Sequence, residues 1–372
     1  MKIILAPDKY KGSLTGQEFC DVVAPLLQKE GFEVIKLPLA DGGDGTIEVI
    51  NFYLSGEMIK TRVSDPLFRF VEATYFFSKA SKVAFIEMAE ASGITLLKPA
   101  DQNCMNTSTY GTGELIQYAI DNGAEQIILG IGGSATNDCG IGMASALGYK
   151  FLDKNDKELN PIGKELIHIV KIDDANIDER LAAVKFQVAC DVTNPLYGPS
   201  GSAYVYAKQK GASGEDILYL DKGLKHFASV LNQHFNTNVQ QIKGAGAAGG
   251  MGAGTVTFLN AELLPGIELI KQIANFDKNI IDADWIITGE GQLDEQTRSG
   301  KALSGVLKSA KTHEISVAAF CGNITLDETE LKHMGISYSA SIQQKASSFE
   351  DAIQHTKTYL KEITEDFVKS IQ

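Results

Sequence analysis

The sequence predicts an α/β protein: a Rossmann/flavodoxin-like parallel-sheet domain built from both chain ends and interrupted by a mixed α/β domain. Three observations lead there. The N-terminal segment alternates strand and helix, the stretch from about Glu57 is rich in β-formers without intervening helices, and the alternation returns near the C-terminus.

The first strand is Ile3 to Ala6, ended by Pro7-Asp8. Thr15 and Glu18 have the spacing of a capping box, and Phe19, Val22, Val23, Leu26 and Leu27 recur at helical intervals until Gly31. Phe32 to Leu37 reads as the second strand, and Thr46 opens the next helix. Segments 57–63, 70–77 and 82–87 read as strands in antiparallel or mixed pairing. Residues 111–131 resume the alternation, Gly140 to Gly148 reads as a helix, and Val184 to Ala189 as a strand. Residues 285–288 and 315–320 read as further strands, and 348–371 as a closing helix. The expected domains are 1–65 with 275–372, and an insert of 66–274.

Lys and Arg number 34 against 47 Asp and Glu, a formal net charge of −13 that disfavours nucleic acid and anionic membrane surfaces. No apolar run approaches the roughly 20 residues of a membrane helix. The five cysteines are scattered and form no Cys-x-x-Cys, which argues against structural zinc or a disulfide framework and suits a reducing cytoplasm. The expected partners are small molecules, with the chain working as a monomer or small homo-oligomer.

The most informative stretch is Ile128 to Asp138, an apolar strand running into Gly132-Gly133-Ser134-Ala135-Thr136-Asn137-Asp138. Glycines there allow close approach of a ligand and a nest of N–H groups for an anion. Ser134, Thr136 and Asn137 add neutral hydrogen-bonding groups, and Asp138 a carboxylate suited to a hard cation. A tight turn capping the next helix explains the same residues equally well. A second glycine-rich stretch, Gly244 to Gly254, holds a G-x-G-x-x-G at Gly244, Gly246 and Gly249, followed by Gly250. It follows a poor strand, and close backbone packing accounts for it as readily as a ligand does. Gly130, Gly132 and Ala135 fit the looser dinucleotide pattern, but Asp153 beyond them sits in a hairpin-like turn. There is no Walker A sequence.

Asp8, Lys9, Lys11 and Ser13 cluster after the first strand, where a parallel sheet places its ligands. Lys11 can offset a carboxylate or phosphoryl charge. After the second strand come Asp41, Gly42, Gly43 and Asp44; an Asx turn rivals a ligand role, more so for Asp44 than for Asp41. Asp191, in Cys190-Asp191-Val192-Thr193-Asn194-Pro195, is expected at a strand end, where partial burial would raise its proton affinity and make it a general base. Glu290 and Asp294 follow the strand 284–287 and suit Mg²⁺, with Arg298 and Lys301 just beyond. The six histidines do not flank these loops. Tyr204 and Tyr206 read either as a base pocket or as strand alternation.

Taken in order, Ala6-Pro7-Asp8, Ala40 to Gly43, Gly132 to Asp138, Cys190 to Leu196, Lys210-Gly211-Ala212, Gly244 to Gly250 and Thr288 to Gly291 with Asp294 resemble the type 1 glycerate kinase family. The resemblance spans nearly the whole chain. It implies ATP-dependent phosphorylation of D-glycerate with Mg²⁺, most often giving 2-phosphoglycerate, on a Rossmann- or flavodoxin-like domain interrupted by a second one. On that basis Gly132, Gly133, Ser134, Thr136, Asn137, Gly246, Gly249 and Gly250 are expected to hold ATP. Asp8, Lys11, Ser13, Asp41, Gly42, Gly43 and Asn194 are expected around glycerate, with Lys11 on its carboxylate and Asp191 as base. Glu290, Asp294 and Asp138 are the candidate Mg²⁺ ligands, and an interdomain cleft is expected to exclude water. Cys139 departs from the family pattern, which has Gly there. Two other classes compete: a nicotinamide-dependent oxidoreductase of a small hydroxy acid, using the two glycine fingerprints, and a non-catalytic sugar-acid binding protein.

Overall fold

The computed structural model describes residues 1–43, 45–294 and 302–372; Asp44, Arg298 and Lys301 lie outside the described residues. The chain forms two compact units, Met1–Tyr53 with Pro265–Gln372, and Leu54–Leu264. Strands β1 (Lys2–Leu5) and β2 (Glu33–Lys36) open the first unit. The second unit holds β3 (Glu57–Ser64), β4 (Phe70–Ser78), β5 (Val83–Glu87), β6 (Gln126–Gly130), β7 (Lys150–Leu152), β8 (Lys171–Asp173), β9 (Lys185–Ala189) and β10 (Glu262–Leu264). The chain returns to the first unit with β11 (Trp285–Thr288), β12 (Gln292–Leu293), β13 (Ser316–Cys321), β14 (Asn323–Ile324) and β15 (Tyr338–Ser341).

In the first unit the sheet order is β15-β13-β11-β1-β2, and every pairing is parallel. Counted within the unit this is the 2-1-3-4-5 order of flavodoxin-like folds, whose ligand crevice lies at the carboxyl ends beside the first strand. Residue alternation along β13 buries both faces. Ala318 and Phe320 pack with the helices Gly16–Lys29 and Thr356–Ile371, while Ala319 and Cys321 pack with Leu303 and Leu331 on the other side. The Gly16–Lys29 helix starts where its sequence says it should: Thr15 and Glu18 form the reciprocal capping box. Phe19, Val23 and Leu27 face the core, and Gly31 at φ +82° ends the run.

The second unit has the order β10-β9-β6-β5-β4-β3. Strands β10, β9, β6 and β5 are parallel, and β5-β4-β3 antiparallel. Its core sets Ile127, Leu129 and Val188 of the sheet against Leu115, Ile116 and Ala119 of the Tyr110–Asp121 helix. Two small pairs complete the set, β7 with β8 antiparallel and β12 with β14 parallel.

Four sequence expectations are corrected. The 65/66 boundary moves because β3 pairs along its length with β4, and 265–274 joins the first unit, where Ile267 packs near Gly305. The closing helix is two, Phe349–Gln354 and Thr356–Ile371, broken at His355. The helix expected over 140–148 spans only Ile141–Ala146. Tyr204 and Tyr206 lie in a wide helical turn, not a strand. No described helix is long and apolar enough to cross a membrane. Thr15→Ala, which removes the cap and leaves the rest of the helix intact, is expected to cost about 1 kcal/mol in chemical denaturation.

Candidate active site

The carboxyl ends of the first sheet feed a cavity of about 410 Å³. Asp8, Lys9, Tyr10, Lys11 and Ser13 line it from the segment after β1, Asp41 from that after β2, Glu290 to Gln292 from that after β11, and Asn323 from that after β13. The β1 loop is held on both sides. Asp8 N–H donates to Gly289 O at 2.9 Å, and Lys9 N–H donates to Asp8 Oδ1 at 2.7 Å. The buried Tyr10 hydroxyl donates to Phe320 O, and its ring stacks on Phe19 at 5.7 Å. Burial, with Cys321 and Glu290 nearby, holds the Tyr10 phenol well above its ordinary range, so it serves as a donor. Ser13 N–H donates to Tyr10 O at 2.9 Å, and Gly12 at φ +83° allows the turn that leaves Lys11 exposed at its apex.

Asp41 makes the Asx turn that the sequence favoured more for Asp44: Gly43 N–H donates to its Oδ1 at 3.0 Å. It nevertheless lines the cavity, whereas Gly42 and Gly43 shape the turn and stand outside the lining. Glu290 lies on the wall, and its carbonyl accepts from Gly322 N–H at 3.0 Å. Asp294 stands past β12, outside the lining, with Oδ2 accepting from Gln292 Nε2 at 3.2 Å. Among the described residues no group of three or more His, Cys, Asp or Glu could hold a metal ion. Mg²⁺ usually takes only one or two protein carboxylates, the rest being phosphate and water, so Glu290 fits that donor chemistry.

Sequence reading missed the far wall. Asn323 and Gln343 follow β13 and β15, and the rule that picked out Asp8 and Asp41 extends to those strand ends. Phe349 and Ile353, 63% and 40% exposed, come from the short helix before the His355 break, which the sequence showed as continuous.

In the second unit three loops pack together, after the adjacent parallel strands β6 and β9 and before the Ala247–Leu259 helix. Gly246 N–H donates to Asn194 O, and Cys139 N–H to Gly249 O, both at 3.0 Å. A methyl group at Gly249 would stand 2.7 Å from Asn137 Cα and closer still to Thr136 O. One at Gly246 would meet Pro195 C at 3.0 Å, and one at Gly250 Cys139 Cα at 3.0 Å. These glycines therefore make room for protein backbone, so the close-packed reading holds for them. The dinucleotide fingerprint fails here, since no strand precedes Gly244 and Ala248, Gly249 and Gly250 all have positive φ. The looser match at Gly130 fails at its acidic residue: Asp153 turns a hairpin, accepting from Asn155 and Lys157 N–H.

Gly132 and Gly133 are different. Both are exposed, and nothing lies within 4 Å of a Cβ added at Gly132. The turn around them is pinned by Ile94 N–H to Gly133 O and Ala135 N–H to Ser92 O, both 2.9 Å. Beneath it Lys210 is buried, its Nζ donating to Ser134 Oγ at 2.6 Å and Thr136 O at 2.8 Å. Thr136 Oγ1 and Asn137 Oδ1 are buried without hydrogen-bond partners, although Asn137 Nδ2 reaches Ser202 Oγ at 3.4 Å. Two unpartnered polar atoms, a hydroxyl able to donate and an amide oxygen, beside an open glycine turn mark it as a candidate ligand site.

Three assignments change. Asp138 is fully buried, and its carboxylate accepts from Thr109 N–H and Oγ1 at 2.8 Å and from Gly140 and Gly142 N–H at 3.2 Å. With its oxygens spent on four protein donors it anchors the loop and is no cation ligand. Asn194 is engaged at both ends, Nδ2 donating to Ser200 O at 2.9 Å and Oδ1 accepting from the Tyr206 hydroxyl at 2.6 Å. Asp191 is exposed, so the burial expected to raise its proton affinity is missing. Cys139, where the family pattern has Gly, adopts φ +53°, the backbone conformation glycine takes without strain.

Gly249→Ala is expected to destabilise the protein by about 2–5 kcal/mol, from positive-φ strain plus overpacking. Gly132→Ala should stay within about 0.5 kcal/mol of the parent. Denaturant titration of the two variants separates a packing glycine from an open one.

A family model described as the glycerate kinase family matches residues 3–372. A glycerate kinase of Bacillus cereus is 44% identical over 95% of this chain and 93% of its own. A glycerate 2-kinase of Escherichia coli is 40% identical, with the same coverage of 95% and 93%. A crystal structure of a candidate glycerate kinase 2 from Salmonella typhimurium LT2 superposes with a TM-score of 0.87 at 37% identity, covering 100% of this chain and 99% of that one. With the α/β architecture, the strand-end cavity and the open glycine turn already in place, these likenesses settle the kinship: the chain belongs to the glycerate kinase family and is a kinase.

Proposed function

We propose that the protein transfers the γ-phosphoryl group of ATP to the 2-hydroxyl of D-glycerate, yielding 2-phosphoglycerate and ADP, with Mg²⁺ as the accompanying cation. The observation that carries this reading is the first unit's cavity, where one apical lysine shares the wall with Asp8, Asp41 and Glu290. A small hydroxy acid matches that set. Lys11 would take the carboxylate as a point charge, while Asp8, Ser13 and Asp41 would accept or share the hydroxyl protons.

The nucleotide falls to the second unit in this reading. Gly132 and Gly133 offer an exposed turn at the end of a central parallel strand, backed by a buried cation. Gly246, Gly249 and Gly250 support it by packing beneath. Phosphoryl transfer through a loose transition state asks the protein mainly for positioning and charge compensation, so the proton acceptor need not be strongly basic. Asp191 keeps that role on position: it follows β9, which pairs with the strand carrying the glycine turn. Mg²⁺, when bound, would neutralise phosphate charge, and Glu290 is the carboxylate best placed to hold it, with Asp294 the weaker candidate.

Steady-state kinetics with phosphorus NMR of the product test the assignment. Lys11→Met is expected to raise KM for glycerate about tenfold to a hundredfold and leave KM for ATP within about twofold. Asp191→Asn should lower kcat by about a hundredfold or more at unchanged melting temperature. Turnover near that of the parent would move the proton-accepting role to a first-unit carboxylate.

A further inference from the structure

We propose that Lys210 is a positioning residue for the nucleotide: its buried ammonium shapes the Ser134–Thr136 turn and supplies the positive charge that an ATP phosphate neutralises on binding. The inference rests on the reading of the 132–138 turn as the phosphate site and adds a residue to which no binding role has been given.

The backbone at Lys210 is fixed. Gly211 at φ +88° turns the chain directly after it, and a Cβ at that glycine would collide with Gln102 O. Cys104 N–H donates to Lys210 O at 3.1 Å, and Ala212 N–H to Ala207 O at 3.1 Å. From this fixed base the side chain runs through the interior to two neutral oxygens of the glycine turn. An ammonium has three donors and these oxygens take two. Among the described residues no carboxylate pairs with it.

The titratable groups that face it do not supply a counter-charge at bonding distance. Burial raises the Cys104 thiol to about 11, which leaves it neutral. Asp138 acts on Lys210 only from a distance, because its oxygens are bonded to Thr109, Gly140 and Gly142. A cation buried among neutral acceptors is costly, and an apolar side chain of similar length would fill the space without that cost. A phosphate bound at the exposed Gly132-Gly133 turn, next in sequence to the Ser134 that Lys210 holds, would supply the missing anion.

The charge requirement fixes a pH signature. Burial lowers the Lys210 amine to about 8. The free protein therefore loses this cation as pH rises through that value, and kcat/KM, which reports free-enzyme ionisations, falls with it. Once ATP is bound, the adjacent phosphate keeps the amine protonated, so kcat/KM for glycerate at saturating ATP stays level.

The test is steady-state kinetics over roughly pH 6.5 to 9.5 on the full chain, on Lys210→Met and on Ser134→Ala. In the parent, kcat/KM for ATP is expected to fall above about pH 8 while that for glycerate does not. Lys210→Met should raise KM for ATP at least tenfold, leave KM for glycerate within twofold and abolish the alkaline fall. Ser134→Ala, which removes one strut but keeps the charge, should retain it. A parent profile for ATP that is flat to pH 9.5 overturns the proposal even if the methionine variant does not fold. So does a methionine variant that weakens both substrates equally, since a strut alone would do that. Gly132→Ala separates the two levels. If it weakens ATP while Lys210→Met does not, the turn binds nucleotide and only the lysine's role falls. If neither weakens ATP, the phosphate-site reading falls as well.

Discussion

The second unit depends on a single buried carboxylate. Asp138 draws together Thr109, at the start of one helix, and Gly140 and Gly142, at the start of the next. Burial raises its proton affinity on balance, against four donated hydrogen bonds that lower it, and those bonds use both oxygens of the enclosed carboxyl group. With the loop's C-terminal half fixed this way, Gly249 can bring the second glycine stretch against Thr136 and Asn137. The open Gly132-Gly133 turn is what remains once that packing is complete.

Glycine serves two opposed purposes in these loops, and the sequence writes both the same way. At Gly246 and Gly249 the missing side chain is replaced by another segment's backbone; at Gly132 it is replaced by open space. Only the fold distinguishes them. Hence the ambiguity of the 244–254 stretch in the sequence, where packing and ligand readings stood level. Polar residues carried the same ambiguity. Asp138, Asn194 and Asp41 are all types that bind ligands, yet the first two are consumed by the scaffold and the third is shared between a turn and the cavity wall.

What was legible followed from periodicity and topology. The capping box at Thr15, the core stripe of Phe19, Val23 and Leu27, and the placing of Asp8, Asp41 and Glu290 at strand ends need only local pattern and the directionality of a parallel sheet. The misplaced boundary came from β3, whose residues read as a strand without revealing which sheet it joins. Pairing with β4 through a tight connection decides that, and pairing is a non-local fact. The exposure of Asp191 was hidden for a related reason. A strand end predicts position along the sheet but not how deeply the following loop is covered.

Lys210 marks the limit of the sequence approach from the other side. Lysine is almost never fully buried, so a chain read alone assigns it to the surface by default. In the fold it is 3% exposed, held by Ser134 and Thr136 more than seventy positions away. No local pattern links Lys210 to the glycine turn; only the closure of the second unit's core does. The scaffold thus spends hydrogen bonds on the buried Asp138 and leaves the buried Lys210 without an ionic partner among the described residues. That asymmetry fits a site built to receive negative charge.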